Sequence, residues 1–187
     1  MFNQLVKKRR TTYQFQPVTV DLAKINECID AAIWAPNHGM TQPWQFYVIG
    51  EQTKIQLMSI YAQLRADKRA ESGSPEHQAI YEKACKRFLG NPATVIVGQV
   101  KSENPVVYKE DYAACSCAIQ NFQLMATELG LGVQWSTGPI LQSEQTFSIL
   151  NIHPAEIELI GILYLGYPAC ETNQTRKPRS EVTQYFD

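Results

Sequence analysis

Apolar residues recur at helical spacing over residues 20–35. They fall on one face of a helix, with Asp21 in the first turn and Pro36 ending the pattern. Further helices are predicted over 2–10, 52–71, 75–88, 108–129 and 142–150. The helices over 52–71 and 75–88 are charged and are joined by the turn Ser-Gly-Ser-Pro, and Gly130 caps the C-terminal end of the helix over 108–129.

Short segments rich in β-branched and aromatic residues lie between these helices. They predict strands over 44–49, 93–97, 133–136 and 157–165. The last of these is continuously apolar, as expected of a strand that is covered on both faces. Helices and strands alternate, which predicts a single α+β or α/β domain over residues 1–187.

Length and charge restrict the class of protein. The 187 residues suit one domain, and a chain of this mass buries about 70% of its unfolded surface. A net charge of −1 argues against a nucleic-acid-binding surface. The most apolar run, residues 157–166, is too short to span a bilayer, and the basic N-terminal segment has no apolar run of the kind found in secretory signals. We therefore expect a cytoplasmic protein with no membrane or nucleic-acid partner.

The cysteines and histidines do not have the spacing of a disulfide framework or a zinc site. Five cysteines are present, an odd number, and the three histidines are scattered. We expect free thiols and no metal site.

A basic segment, residues 7–12, follows the first predicted helix with the sequence KKRRTT. Cations at a helix C-terminus are favoured by the helix dipole alone, so the segment could be a solvated end. The alternative is a phosphate site, because the planar guanidinium group can donate two hydrogen bonds to a phosphate and a nearby hydroxyl can add another.

Two further segments have the composition of binding loops. The polar loop at residues 35–44 joins a helix to a strand, and is either an ordinary connection or a ligand contact on a rigid scaffold. The turn at residues 130–139 begins as G-x-G but lacks the third glycine and follows a helix, which excludes a Rossmann site. The sequence contains no evident set of nucleophile, acid and base, so an enzyme of this kind would take its chemistry from a cofactor.

Four segments in order, RRTTYQF, AAIWAPNHGMTQPWQFYVIG, GLGVQWSTGP and GILYLGYP, resemble the flavin-dependent nitroreductase family. The resemblance implies an α+β fold with a central mixed, mainly antiparallel sheet flanked by helices, in an intertwined homodimer with FMN at the subunit interface. It also implies ping-pong reduction of nitroaromatic, quinone or related flat acceptors by NAD(P)H. The tail, residues 169–187, would wrap around the partner subunit.

The resemblance also implies roles for particular residues. Arg9, Arg10 and Thr11 would hold the FMN phosphate and ribityl chain, and Lys177 and Arg179 would complete the phosphate site. The remaining flavin contacts implied by the resemblance are Trp34 beside the polar loop, Asn37, His38, Met40 and Gln42 from the partner subunit, and Ser136, Thr137 and Gly138 facing the isoalloxazine ring.

This chain departs from the family pattern, and other assignments stay open. Tyr13 stands where a second arginine is usual, which gives the C-terminal basic residues more weight. The helices over 52–88 are either a solvated face or the wall of the substrate entrance. The small residues in the helix over 108–129 fit either the core of a dimer interface or the core of a single subunit. The candidate substrate contacts are Tyr61, Arg65, Arg69 and Phe88.

Three hypotheses follow. The first is an FMN-dependent NAD(P)H oxidoreductase of nitroreductase type. The second is a non-catalytic FMN-binding dimer used for storage or sensing. The third is an α/β protein without flavin, whose basic clusters are solvated.

Overall fold

Four strands form one antiparallel sheet in a computed structural model that describes residues 2–186. The strands are β1 (Trp44–Val48), β2 (Ala93–Val100), β3 (Gly132–Ser136) and β4 (Ile157–Gly166). They lie in the order β1-β2-β4-β3, so the two longest strands occupy the centre. One parallel bridge, between Thr11 and Val133, adds the N-terminal segment to the β3 edge and makes the pairing mixed but mainly antiparallel.

All six predicted helices are found, with ends that lie up to four residues from the predicted ones. Asp21 accepts a hydrogen bond from the Ala23 amide, and Asn104 accepts one from the Val106 amide, so the second and fifth helices begin at the following residues. The six helices are α1 (Phe2–Lys8), α2 (Leu22–Ala32), α3 (Glu51–Asp67), α4 (Pro75–Leu89), α5 (Pro105–Glu128) and α6 (Glu144–Leu150).

Two hydrophobic cores lie on opposite faces of the sheet. Val95 and Val97 point toward α2 and α5, while Ile96 between them points toward α3 and α4. The central strand β4 is buried along most of its length, as its continuous apolar sequence predicts. No helix within residues 2–186 is both long and apolar enough to cross a bilayer.

The end of α5 sets the start of β3. Gly130 has a φ of 77° and its amide bonds to the Thr127 carbonyl, while the Leu131 amide bonds to the Ala126 carbonyl, as in a Schellman motif. The predicted glycine cap is therefore confirmed. Gly132 follows, and its lack of a side chain lets the buried Thr12 pack against β3.

Candidate functional site

Strand β3 holds two of the predicted ligand-binding segments on one piece of backbone. The Thr12 amide donates to the Val133 carbonyl at 3.1 Å, which keeps the segment 9–12 beside the start of the strand. The turn 136–138 follows at the other end, about 10 Å away at the usual rise per strand residue. The basic segment and the turn are therefore fixed relative to each other.

Three arginines come together at the end of α1. Burial lowers the pKa of Arg9, and the positive charges of Arg176 and Arg10 lower this pKa further. One Arg10 Nη donates to the Arg9 carbonyl at 2.7 Å and the other reaches the Gln174 carbonyl at 3.5 Å. These contacts bring the tail at 174–176 back to the N-terminal segment.

The arginine cluster (Arg9, Arg10 and Arg176) has the properties of an anion site. The Arg10 Nε is buried without a hydrogen-bond partner. Within residues 2–186 the ion pairs involve only His38 and His77 as cations, so no carboxylate neutralises the cluster. A buried donor without a partner is costly, and a bound phosphate would satisfy the Arg10 Nε and reduce the repulsion among the three arginines.

Arg176 is a member of the cluster that sequence reasoning missed. The predicted Lys177 and Arg179 are exposed in this single chain, and Arg179 begins a short 3₁₀ turn at 179–181. Arg176 belongs to the same basic stretch, so the only available signal was its position beside Lys177.

The turn 136–138 lines a cavity of about 550 Å³. Tyr13, from the segment after the arginine cluster, lines the same cavity. Helices α3 and α4 form another wall, and α3 packs against the 3₁₀ turn Pro139–Gln142 that follows Gly138. The four residues named from the sequence as candidate substrate contacts, Tyr61, Arg65, Arg69 and Phe88, all line it. The volume is in the usual range for a small-molecule site, about 300–1,000 Å³.

Trp34 and most of the polar loop that follows it are exposed, and the loop is conformationally strained. Trp34 is 85% exposed and Met40 is 71% exposed, unusual values for large apolar side chains. Met40 and Gln42 have φ values of 55° and 45°, in the left-handed region that residues other than glycine seldom adopt. Such strain persists only where surrounding contacts impose it, and it is concentrated at functional sites.

Contacts with α5 and within the loop impose this shape. The Thr41 hydroxyl donates to the buried Asp111 carboxylate at 2.6 Å, and the Gln42 amide donates to the Asn37 side-chain oxygen at 3.1 Å. His38 Nδ1 lies 2.8 Å from a Glu110 carboxylate oxygen. Thr41 and Asp111 are positioning residues that sequence reasoning missed, because they are seventy positions apart.

The structure does not bring the polar loop to the cavity of the same chain. None of residues 34–42 is among the residues that line it. Trp34 and Met40 in this region are exposed to solvent in the single chain. The arginine cluster and the turn 136–138, in contrast, are linked within one chain by β3. Among residues 2–186 no three His, Cys, Asp or Glu side chains converge as metal ligands.

The chain matches known proteins over almost its full length. Residues 6–167 match the model of the nitroreductase family. A Bacillus subtilis (strain 168) protein named "Putative NAD(P)H nitroreductase YfhC" is 30% identical over 170 residues, which cover 90% of this chain and 84% of the relative.

Solved structures share the fold. A nitroreductase-like family protein from Bacillus cereus superposes with a TM-score of 0.84 at 28% identity, covering 100% of this chain and 96% of the other. The FMN-dependent nitroreductase NfnB from Mycobacterium smegmatis, solved with NADPH, superposes with a TM-score of 0.80 at 16% identity and covers 100% and 98% of the two chains. At 16% identity, the similarity to NfnB shows the shared fold alone.

Proposed function

The chain belongs to the nitroreductase family, and on that premise we propose that it is an FMN-dependent NAD(P)H oxidoreductase acting as a homodimer. Its acceptors would be nitroaromatics, quinones or related flat electrophiles, reduced by a ping-pong mechanism. The observation that carries the proposal is the arginine cluster, which within residues 2–186 has a buried unpartnered donor and no paired carboxylate, and which β3 links to the turn that lines a ligand-sized cavity.

Arg9, Arg10 and Thr11 would hold the phosphate of FMN. Their arrangement fits a phosphate. The Arg10 Nε is buried with no acceptor, and the positive charges of Arg176 and Arg10 destabilise the charged form of Arg9. Arg176 would add a third cation, and Lys177 and Arg179 would join when the tail packs against a second subunit. The charge of a phosphate would be balanced without displacing any existing ion pair.

Ser136, Thr137 and Gly138 would face the isoalloxazine ring from one side. Their turn follows β3 directly, so its backbone amides are held on a rigid strand end, where a donor can orient a ring atom. When bound, FMN supplies the carrier that accepts a hydride from NAD(P)H and passes electrons to the acceptor. The protein's part is to bind, to orient and to exclude water.

The polar loop would complete the site from the partner subunit. The large side chains Trp34 and Met40 are exposed in the single chain. Contacts of Thr41 and His38 with residues of α5 fix the conformation of the loop. A second copy would bury these apolar side chains over the ring and shield it from water. The contributing loop residues are Trp34, Asn37, His38, Met40 and Gln42.

The proposal is tested by FMN titration and NAD(P)H turnover of three variants. We expect Arg9→Ala and Arg10→Ala each to weaken FMN binding at least tenfold, since a charge-assisted hydrogen bond contributes about 1.5–3 kcal/mol. Lys83→Ala removes an exposed cation on α4 that does not line the cavity, and should bind FMN as the parent does. Unchanged affinity in both arginine variants would contradict the phosphate site. Tight FMN binding without turnover of any quinone or nitro acceptor would instead support a storage or sensing protein.

A further inference from the structure

The wall of the cavity formed by α3 and α4 is strongly cationic. Among residues 2–186, no Asp or Glu lines the cavity, although the chain contains 18 acidic residues. This excess of positive charge is local to the cavity, because the net charge of the whole chain is only −1. The cations that line the cavity are Arg65, Lys68, Arg69, Lys86 and Arg87.

An aromatic surface lies next to two of these arginines. The rings of Tyr61 and Phe88 have centroids 5.1 Å apart, and Phe88 and Tyr164 meet edge to face at 5.8 Å. Arg65 donates to the Tyr61 hydroxyl at 3.1 Å, with its guanidinium carbon 5.8 Å from the Tyr61 ring centroid. The guanidinium group is therefore held against the aromatic surface.

Arg65 on α3 and Arg87 on α4 line the same cavity as Tyr164. Burial raises the pKa of Tyr164, and the positive charges of both arginines oppose that shift. Neither forms an ion pair within the part of the chain that the structure describes, so both can still bind an anion.

These cations are separate from the arginine cluster. The cluster consists of the residues after α1 and the tail, whereas Arg65 and Arg87 come from α3 and α4 and share the cavity with the turn 136–138. An acceptor that stacks on a flavin bound at the turn would place its aromatic ring near Tyr61, Phe88 and Tyr164, which line the same cavity. An anionic substituent on that ring would then meet the arginines without displacing a carboxylate.

We propose that the electron acceptor of this protein is a flat aromatic molecule that bears an anionic group, a carboxylate or its equivalent, and that Arg65 and Arg87 bind this group. The assignment rests on the proposed function and names its substrate class. With a nitrobenzoate the reaction balances as nitroarene, NADH and one proton giving nitrosoarene, NAD⁺ and water. The nitro group is reduced by two electrons and the carboxylate is unchanged.

The test compares an anionic acceptor with a neutral one of the same shape. Holoenzyme is first reduced with NADH and then mixed with 4-nitrobenzoate or 4-nitrobenzamide, so that the oxidative half-reaction is measured alone. The variant is Arg65→Gln/Arg87→Gln, which keeps hydrogen-bond donors and removes the charges. Lys83→Gln is the matched control, since it removes a charge from the exposed face of α4.

We expect the double variant to lose at least tenfold more rate with 4-nitrobenzoate than with 4-nitrobenzamide, and the control to keep the parental ratio. High salt should slow only the anionic acceptor in the parent, because the Debye length falls from about 10 Å at 0.1 M to about 3 Å at 1 M. Equal losses with both acceptors would overturn the proposal and assign the arginines to the flavin. The reductive half-reaction is measured separately with NADH and with NADPH, and a loss confined to reduction by NADPH would overturn the proposal in favour of the nucleotide phosphate.

A binding measurement separates this inference from the proposed function. Calorimetric titration of 4-nitrobenzoate and 4-nitrobenzamide into oxidised protein without nucleotide requires no turnover. If the protein carries FMN but reduces no acceptor, the proposed function fails. Preferential binding of the carboxylate that disappears in the double variant would still support the anion site. Equal affinity for the two compounds in the parent would refute it.

Discussion

Replacing Gly132 by alanine should disrupt the packing of the N-terminal segment against β3. A Cβ at this position would overlap the Thr12 hydroxyl and lie 2.6 Å from the Thr12 Cβ, well inside the carbon–carbon contact distance of about 3.5–4.0 Å. Thr12 is 6% exposed and cannot turn out to solvent. The segment 9–12 must therefore move, and it would stretch the Thr12–Val133 backbone hydrogen bond of 3.1 Å.

The cost can be worked from these contacts. Overpacking a close-packed site costs about 1–3 kcal/mol, and loss of one backbone hydrogen bond adds about 1 kcal/mol. We expect Gly132→Ala to lower the free energy of unfolding of the apoprotein by about 2–4 kcal/mol, measured by urea denaturation. Because Arg9 and Arg10 lie three and two positions before Thr12 in the same segment, FMN affinity measured by flavin fluorescence should fall at least tenfold as well.

Two variants make this prediction specific. Gly50→Ala places a Cβ where nothing lies within 4 Å, so it should cost less than about 1 kcal/mol. Thr12→Gly removes all three side-chain atoms that the new Cβ would meet, so adding it to Gly132→Ala should restore part of the lost FMN affinity. The reasoning is refuted if Gly132→Ala matches Gly50→Ala in stability and in FMN affinity.

Three further predictions concern other parts of the molecule. Thr41→Val leaves the Asp111 carboxylate buried without its 2.6 Å partner and should cost about 1–3 kcal/mol in urea unfolding; no change would show that Asp111 does not pin the loop. Burial raises the pKa of Cys28 and of Cys115 to about 12, so both thiols stay protonated from neutral pH upward until that value is approached. Mass spectrometry after thiol labelling near neutral pH should find exposed Cys170 modified and these two intact, and their labelling in the native state would contradict the burial. Phe186→Ser replaces a side chain that is 87% exposed in the single chain, and should weaken the homodimer in sedimentation analysis; an unchanged dissociation constant would exclude the tail from the interface.

The local elements were predictable because each depends on neighbouring residues. Asp21 and Gly130 mark the start of α2 and the end of α5 through caps that lie within a few residues of each helix end. The apolar run of β4 predicts a strand with both faces buried, and the structure confirms it. The four family-like segments allowed the fold to be predicted where periodicity left α+β and α/β open.

The remaining features depend on contacts between residues distant in sequence. Nothing near residue 41 indicates that its hydroxyl meets Asp111, and the left-handed backbone occurs at Met40 and Gln42 rather than at glycine alone. The basic tail contains three cations, all exposed, and only the folded chain shows that the charge of Arg176 reaches Arg9. The cationic cavity wall likewise forms only when α3 and α4 pack together.

The most direct test of the central claim is the visible absorption spectrum of the purified protein, recorded after incubation with FMN and gel filtration. The spectrum is taken anaerobically before and after addition of NADH or NADPH. We expect the bands of bound oxidised flavin, and their bleaching by one or both nucleotides. Absence of flavin bands after gel filtration would contradict the assignment of the arginine cluster and the turn 136–138 to FMN, and bands that persist with both nucleotides would contradict the oxidoreductase.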